Sequence, residues 1–118
     1  MLKEMLDKQK ELQERLGTLN FNGPRDVTAY IKEYSLHLND EVHEMLRELP
    51  YLKPWSKKYD SWDEDKLSEQ MQKAREEYID AVHFMLNIAI ALDLDAETIH
   101  KMYMEKNAIN HKRQNEGY

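Results

Sequence analysis

The chain has no cysteine, only three glycines and three prolines among 118 residues, and no clean apolar run long enough to cross a bilayer. Without cysteine, disulfides and thiolate-held metals are excluded, and a reducing cytoplasm suits the chain. So few helix breakers, with 34% charged and 41% hydrophobic residues, favour an all-α protein over a sheet protein. A surplus of positive charge is missing too. The net charge of −6 argues against a general nucleic-acid binder. It leaves room for an anionic small-molecule substrate, because a divalent cation inverts the local sign. The first residues, Met1 to Asp7, are amphipathic and charged and lack the apolar centre of a signal peptide. A cytoplasmic location is expected, in the host cytoplasm if the source is viral, with no membrane partner. The length predicts one domain, 1–118.

What is present is helical periodicity. Leu2, Met5, Leu6, Leu12 and Leu16 predict a first helix over 2–16, ended by Gly17. Gln9 and Gln13 lie one turn apart on it, and spacing alone reads them as solvated. Asp26 is the expected N-cap of a second helix that runs to about Leu49, before Pro50. Its apolar face is Val27, Ile31, Tyr34, Leu38, Val42, Met45 and Leu49. Ser61-Trp62-Asp63-Glu64 reads as a capping box opening a third helix, from about Asp63 to Leu92. Asp95 should cap a fourth, reaching about Lys112. From Tyr78 to Leu92 the apolar positions of the third helix go all the way round, which predicts a helix enclosed by protein on most sides.

That run contains Asp80, with Glu77 one turn before it. A carboxylate in such a setting is costly unless a cation or dense hydrogen bonding compensates it. Glu41 and Glu44 form a similar pair on the second helix. Two i,i+3 carboxylate pairs on antiparallel helices can converge four oxygen ligands on one point, which suits Mg²⁺ or Mn²⁺. For Glu41 and Glu44 a solvated acidic face is the competing reading. His83, beside Asp80, is expected to be a hydrogen-bonded core histidine rather than a ligand.

Two further segments carry open alternatives. The loop Pro50 to Asp60 is rigid and locally basic; Trp55 either stacks a base, with Lys53 or Lys57 on phosphates, or seals the core edge with Trp62. Lys106, Asn110 and Arg113 project from one stripe of the fourth helix and suit either a triphosphate tail or an ordinary basic helix end.

Together these elements resemble the all-α nucleoside triphosphate pyrophosphohydrolase superfamily, which includes MazG-like proteins and dimeric dUTPases. The E-x-x-E of Glu41 and Glu44, then the E-x-x-D of Glu77 and Asp80, match its metal signature in order. The run Glu76 to Phe84 is similar to the E-E-Y-[VI]-D-x-x-H-F of the dimeric dUTPase branch, and Lys106 to Tyr118 to its K-N-x-x-N-x-x-R-Q-x-x-G-Y tail. Gln9 matches a glutamine that the branch uses against the base. Gln13 departs from the asparagine usual after it, and the loop Leu49 to Trp55 keeps only Lys53 and Trp55 of that branch's pattern.

The resemblance implies a four-helix bundle of the MazG-like/dimeric dUTPase type, assembled as a homodimer or dimer of dimers. It implies a Mg²⁺-dependent hydrolase (Mn²⁺ the other candidate) that converts a dNTP, dUTP first, to dNMP and pyrophosphate. Glu41, Glu44, Glu77 and Asp80 would hold metal, and Glu44, with Glu41, would orient the attacking water. Lys106, Asn110, Arg113 and Tyr118 would bind phosphates and sugar, with Lys53 and Trp55 closing over the nucleotide and Gln9 reading the base. The alternatives are a MazG-like enzyme preferring dCTP or dGTP, and a non-enzymatic helical interaction module. A di-iron bundle would need Glu-x-x-His motifs from two of the helices that carry the acidic pairs, where the third helix offers Asp80-x-x-His83 instead.

Overall fold

The structure, a computed structural model, describes residues 1–117; Tyr118, expected at the substrate, lies outside the described residues. Among the described residues there are four helices and no strand: α1 (Leu2–Leu16), α2 (Pro24–Glu48), α3 (Glu64–Ala91) and α4 (Ala96–Asn115). The all-α class and the helix order are those expected.

The helix ends differ in instructive ways. Gly17 does close α1, in the left-handed region at φ 71°, where glycine carries no Cβ penalty. At the start of α2 the cap is Gly23 rather than Asp26, because Pro24 is suited to the first helical position, where no N–H is needed. Asp26 instead sits in the first turn and accepts from the Asn22 N–H at 2.8 Å. The cap of α3 is Asp63, which accepts from Lys66 N–H at 2.8 Å, so the Ser61 capping box does not form. Trp62 is held back in the preceding loop by an edge-on contact with Tyr59, ring centroids 4.7 Å apart. Asp95 caps α4 as expected, accepting from Thr98 N–H at 2.7 Å, and α4 continues to Asn115.

α2 and α3 pack as a long antiparallel hairpin. The register is fixed at three levels: Gln70 Nε2 donates to the main-chain carbonyl and the carboxylate of Glu48, both at 2.7 Å; Glu77 stands opposite Glu41; and the rings of Tyr34 and Phe84 meet at 6.0 Å. α1 lies antiparallel to the second half of α3, with Gln9 against Asn87 and Leu16 on the same cavity as Asp80. α4 touches α1 alone, where its start and the Asp93–Asp95 turn face Lys3 to Lys10.

One chain therefore leaves much of its apolar surface uncovered. The buried apolar residues are few: Leu6, Tyr30, Ala74, Ala81, Leu86 and Ala91. The expected enclosure of α3 is not supplied by its own chain, since Ile79 is 51% and Met85 54% exposed. On α4, Met102, Tyr103 and Ile109 are exposed as well. The radius of gyration is 18.6 Å, against about 13.5 Å for a compact domain of this length. The accessible surface is 9569 Å², against roughly 6,800 Å² for a folded monomer of this mass.

Candidate active site

The hairpin register brings the two acidic pairs together. One carboxylate oxygen from each of Glu41, Glu77 and Asp80 lies within 4.8 Å of the others. Glu44, one turn on from Glu41, stands outside that cluster of three but near enough for its charge to act on both Glu41 and Glu77. Burial pushes the Glu41 carboxyl up to about 7, helped by the Glu44 charge and by Glu77 and Asp80 beyond it. The Glu77 carboxyl is also raised, first by burial of the group and then by its contact with Glu44. Oε2 of Glu41 and Oε2 of Glu77 are both buried with no hydrogen-bond partner.

Orphaned carboxylate oxygens that repel one another are costly, and no lysine or arginine is paired with them in any ion pair among the described residues. A divalent cation removes both costs, because it takes the unpaired oxygens as ligands and reverses the repulsion. A donor set of oxygens alone fits a hard ion such as Mg²⁺ or Mn²⁺ better than a softer one. The solvated-face reading of the acidic pairs does not account for the buried oxygens.

Beside the carboxylates opens a cavity of about 450 Å³ between α1, α2 and α3. Glu41 and Asp80 line one part of it, and Gln9, Gln13, Asn87, His83, Tyr34 and Phe84 another. Both glutamines, which spacing alone reads as solvated, are buried: Gln9 is 6% and Gln13 5% exposed. Gln9 Nε2 donates to Oδ1 of Asn87 at 2.7 Å, and Asn87 is 2% exposed. This pair leaves the Gln9 carbonyl oxygen and the Asn87 amide N–H groups unpaired among the described residues. His83 is exposed at the cavity and makes no hydrogen bond there, so it is not the core histidine expected. A ring edge, amide donors and acceptors, and an anionic cluster thus share one concave site of nucleotide size.

Other expected residues stand elsewhere in the same chain. Lys53 and Trp55 belong to the loop between α2 and α3, beyond the hairpin end that lies roughly 12 Å along the axis from Glu41 at 1.5 Å per residue. Trp55 is 77% exposed, so it does not seal the core edge; Trp62 is half-buried, packed edge-on against Tyr59 with Lys66 Nζ 4.2 Å above its ring. Lys106, Asn110 and Arg113 are exposed on α4, which does not touch the α2–α3 hairpin.

Asn87, Tyr34 and Phe84 were not singled out as site residues by the sequence. For Asn87 the signal was present, since a lone amide in an apolar run needs a polar partner as Asp80 does. For Phe84 the signal was its place at the end of the E-E-Y-[VI]-D-x-x-H-F run; Tyr34 gave none, being an ordinary member of an apolar face.

A helical hairpin whose two acidic pairs meet beside an amide-lined cleft is the architecture of the all-α nucleoside triphosphate pyrophosphohydrolases, and this chain is a hydrolase of that class. The family model described as dUTPase matches residues 1–96 and 85–118, and the chain belongs to that family. It is similar to a dCTP pyrophosphatase of Enterobacteria phage LZ5, 32% identical over 99% of this chain and 82% of the relative. A dCTP pyrophosphatase of Enterobacteria phage T4 is 29% identical over the same shares. A DNA replication protein of phage T4 is 28% identical over 90% of this chain and 33% of its own length. No solved structure shows a significant match. No helix among the described residues is long and apolar enough to cross a membrane.

Proposed function

We propose that the protein hydrolyses pyrimidine deoxynucleoside triphosphates, dCTP and dUTP, to the monophosphate and pyrophosphate, using Mg²⁺ or Mn²⁺. The observation that carries this reading is the adjacency of two unpartnered carboxylate oxygens and an amide-lined cavity. Relatives that are dCTP pyrophosphatases within a family described as dUTPase support both bases.

Glu41, Glu44, Glu77 and Asp80 would hold the cation. When bound, it supplies neutralisation of the phosphoryl oxygens and makes a water easier to deprotonate. Glu44, the more exposed partner of the E-x-x-E pair, orients the attacking water with Glu41, as a carboxylate next to the reacting phosphate can accept its proton. Water adds to phosphorus as the bond to the bridging oxygen between the α and β phosphates breaks.

Gln9 and Asn87 face the base as one acceptor and one donor. Because both are amides, turning the two together inverts that order while keeping the bond between them. The pair therefore complements N3 and the 4-amino group of cytosine in one orientation, and N3–H and the 4-carbonyl of uracil in the other. Phe84 and Tyr34 supply apolar ring contact.

In this reading the enzyme is a homodimer or a dimer of dimers. The surface excess, about 2,800 Å² per chain, is of the size that one partner buries in a large obligate interface. Lys106, Asn110, Arg113 and Tyr118 bind phosphates and sugar, and Lys53 and Trp55 close over the nucleotide, by reaching the cleft of a second copy.

The test is pyrophosphate release from the eight canonical NTPs and dNTPs plus dUTP, with Mg²⁺ or EDTA, in wild type and Glu77→Gln. Metal-dependent release from dCTP and dUTP, lost in the variant, is the expected result. Release from purine nucleotides at similar rates overturns the pyrimidine reading, and no release from any overturns the enzyme reading.

A further inference from the structure

Gln13 is not used by the mechanism above, yet more of its surroundings are specified than those of any other cavity residue. Its Oε1 accepts from three hydroxyls on two different elements: Thr18 Oγ1 at 2.5 Å, Tyr30 OH at 3.3 Å and Tyr34 OH at 3.4 Å. The Tyr30 and Tyr34 rings are stacked at 4.0 Å and 17°. Phe21 packs edge-on against Tyr30 at 5.3 Å, so the phenols have little freedom. Burial pushes the Tyr30 phenol well up, which keeps it a donor.

The 2.5 Å contact decides which end of the amide faces the hydroxyls. It is within the range of an O–H···O bond and too short for N–H···O. Thr18 Oγ1 also lies 3.1 Å from the Gln13 main-chain carbonyl, so its single proton is shared between the two oxygens, with the side-chain oxygen the nearer. The amide is thus held with its oxygen on the three hydroxyls; its Nε2 has no partner among the described residues, and Gln13 is one of the residues that line the cavity. Gln9 and Asn87 can invert as a pair; Gln13 cannot without losing the short bond.

We infer that Thr18, Tyr30 and Tyr34 are positioning residues that fix the Gln13 amide as an obligate donor to the 2-carbonyl of the pyrimidine. The 2-carbonyl is the one ring substituent that cytosine and uracil share, and it is an acceptor in both. A fixed donor suits the constant edge, and an invertible pair suits the edge that changes. This inference rests on the pyrimidine nucleotide reading above.

The experiment measures kcat/KM for dCTP, dUTP and their 2-thio analogues, in which sulfur is a weak acceptor. It compares wild type, Thr18→Val, the Tyr30→Phe/Tyr34→Phe double variant and Gln13→Glu. Wild type should prefer the 2-oxo over the 2-thio substrate by about tenfold, near the upper value of a single neutral hydrogen bond. In Thr18→Val and in the double variant that preference should shrink to about twofold, because the amide is free to turn. Gln13→Glu keeps the acceptor for the hydroxyls but has no N–H, and should lower kcat/KM for dCTP and dUTP by a similar factor, mainly through KM. A purely structural role predicts lower activity in the hydroxyl variants with the 2-oxo/2-thio preference intact, and that result overturns the inference. So does a wild type without the preference, or a Gln13→Glu variant that changes the dCTP/dUTP ratio. Hydrolysis of neither dCTP nor dUTP by wild type would instead sink the nucleotide reading itself.

Discussion

Glu41 of α2 and Glu77 of α3 face each other across the helical hairpin, each with one buried carboxylate oxygen that no donor among the described residues reaches. Helices pack tightly elsewhere along this pair, so the contact is an unpaid repulsion built into the middle of the fold. Burial, with the Glu44 charge and then Glu77 and Asp80 beside it, pushes the Glu41 carboxyl up to about 7.

That shift has a direction in pH. The folded state holds the Glu41 proton more tightly than the unfolded chain does. Its stabilising contribution is complete below the ordinary carboxylate range and is lost as pH rises through about 7. In EDTA, the melting temperature should fall between pH 5 and pH 8. Saturating Mg²⁺ or Mn²⁺ at pH 8 should restore it: ligand at a hundredfold Kd contributes about 2.7 kcal/mol, on the order of 10 °C for a domain of this size. Thermal scans at four pH values with and without metal check both.

Glu77→Gln should separate stability from activity. Removing one charge from the cluster should raise the melting temperature in EDTA by a few degrees, since a repulsion is relieved. The same change should abolish the metal-induced increase and lower dNTP hydrolysis by about a thousandfold or more, the scale of losing a multi-metal site. A variant less stable in EDTA than wild type would refute the repulsion account.

The buried amide pair gives a contrast between single and double variants. Asn87→Ala leaves the Gln9 donor unpaired and should cost about 1–3 kcal/mol. Replacing both, Gln9→Leu with Asn87→Leu, should be nearer neutral in urea unfolding because no polar group is stranded. Both changes should raise KM for dCTP and dUTP.

Association should be obligatory. Ile79 and Met85 form part of the exposed apolar stripe of α3, and a charge there opposes its burial. Ile79→Glu should shift light-scattering mass toward a monomer and lower activity at least tenfold. Mixing two inactive variants, Glu77→Gln and Lys106→Ala, and allowing subunits to exchange should recover about a quarter of wild-type activity if the α4 stripe serves the cleft of the other copy. No recovery would place Lys106 at its own chain's site.

The sequence by itself determined the helices, their order and their ends to within a few residues, because periodicity, Gly17, Pro50 and Asp95 act locally. It also pointed to the two acidic pairs by their i,i+3 spacing, and the hairpin brings Glu41, Glu77 and Asp80 of those pairs together. Local rules failed where two caps competed, as at Gly23 against Asp26 and Asp63 against Ser61; there the first-turn proline and the Tyr59–Trp62 contact decided.

Tertiary structure alone decided the rest. Spacing on α1 cannot tell a buried glutamine from a solvated one. Gln9 and Gln13 are buried only because α1 lies antiparallel on α3 with Asn87 opposite, and because Thr18, Tyr30 and Tyr34 come round to the same oxygen. Nor could the apolar run on α3 say that its own chain leaves Ile79 and Met85 exposed. The reason is the same in both cases. Periodicity records which face of a helix avoids water, and only the packing of helices identifies what that face meets.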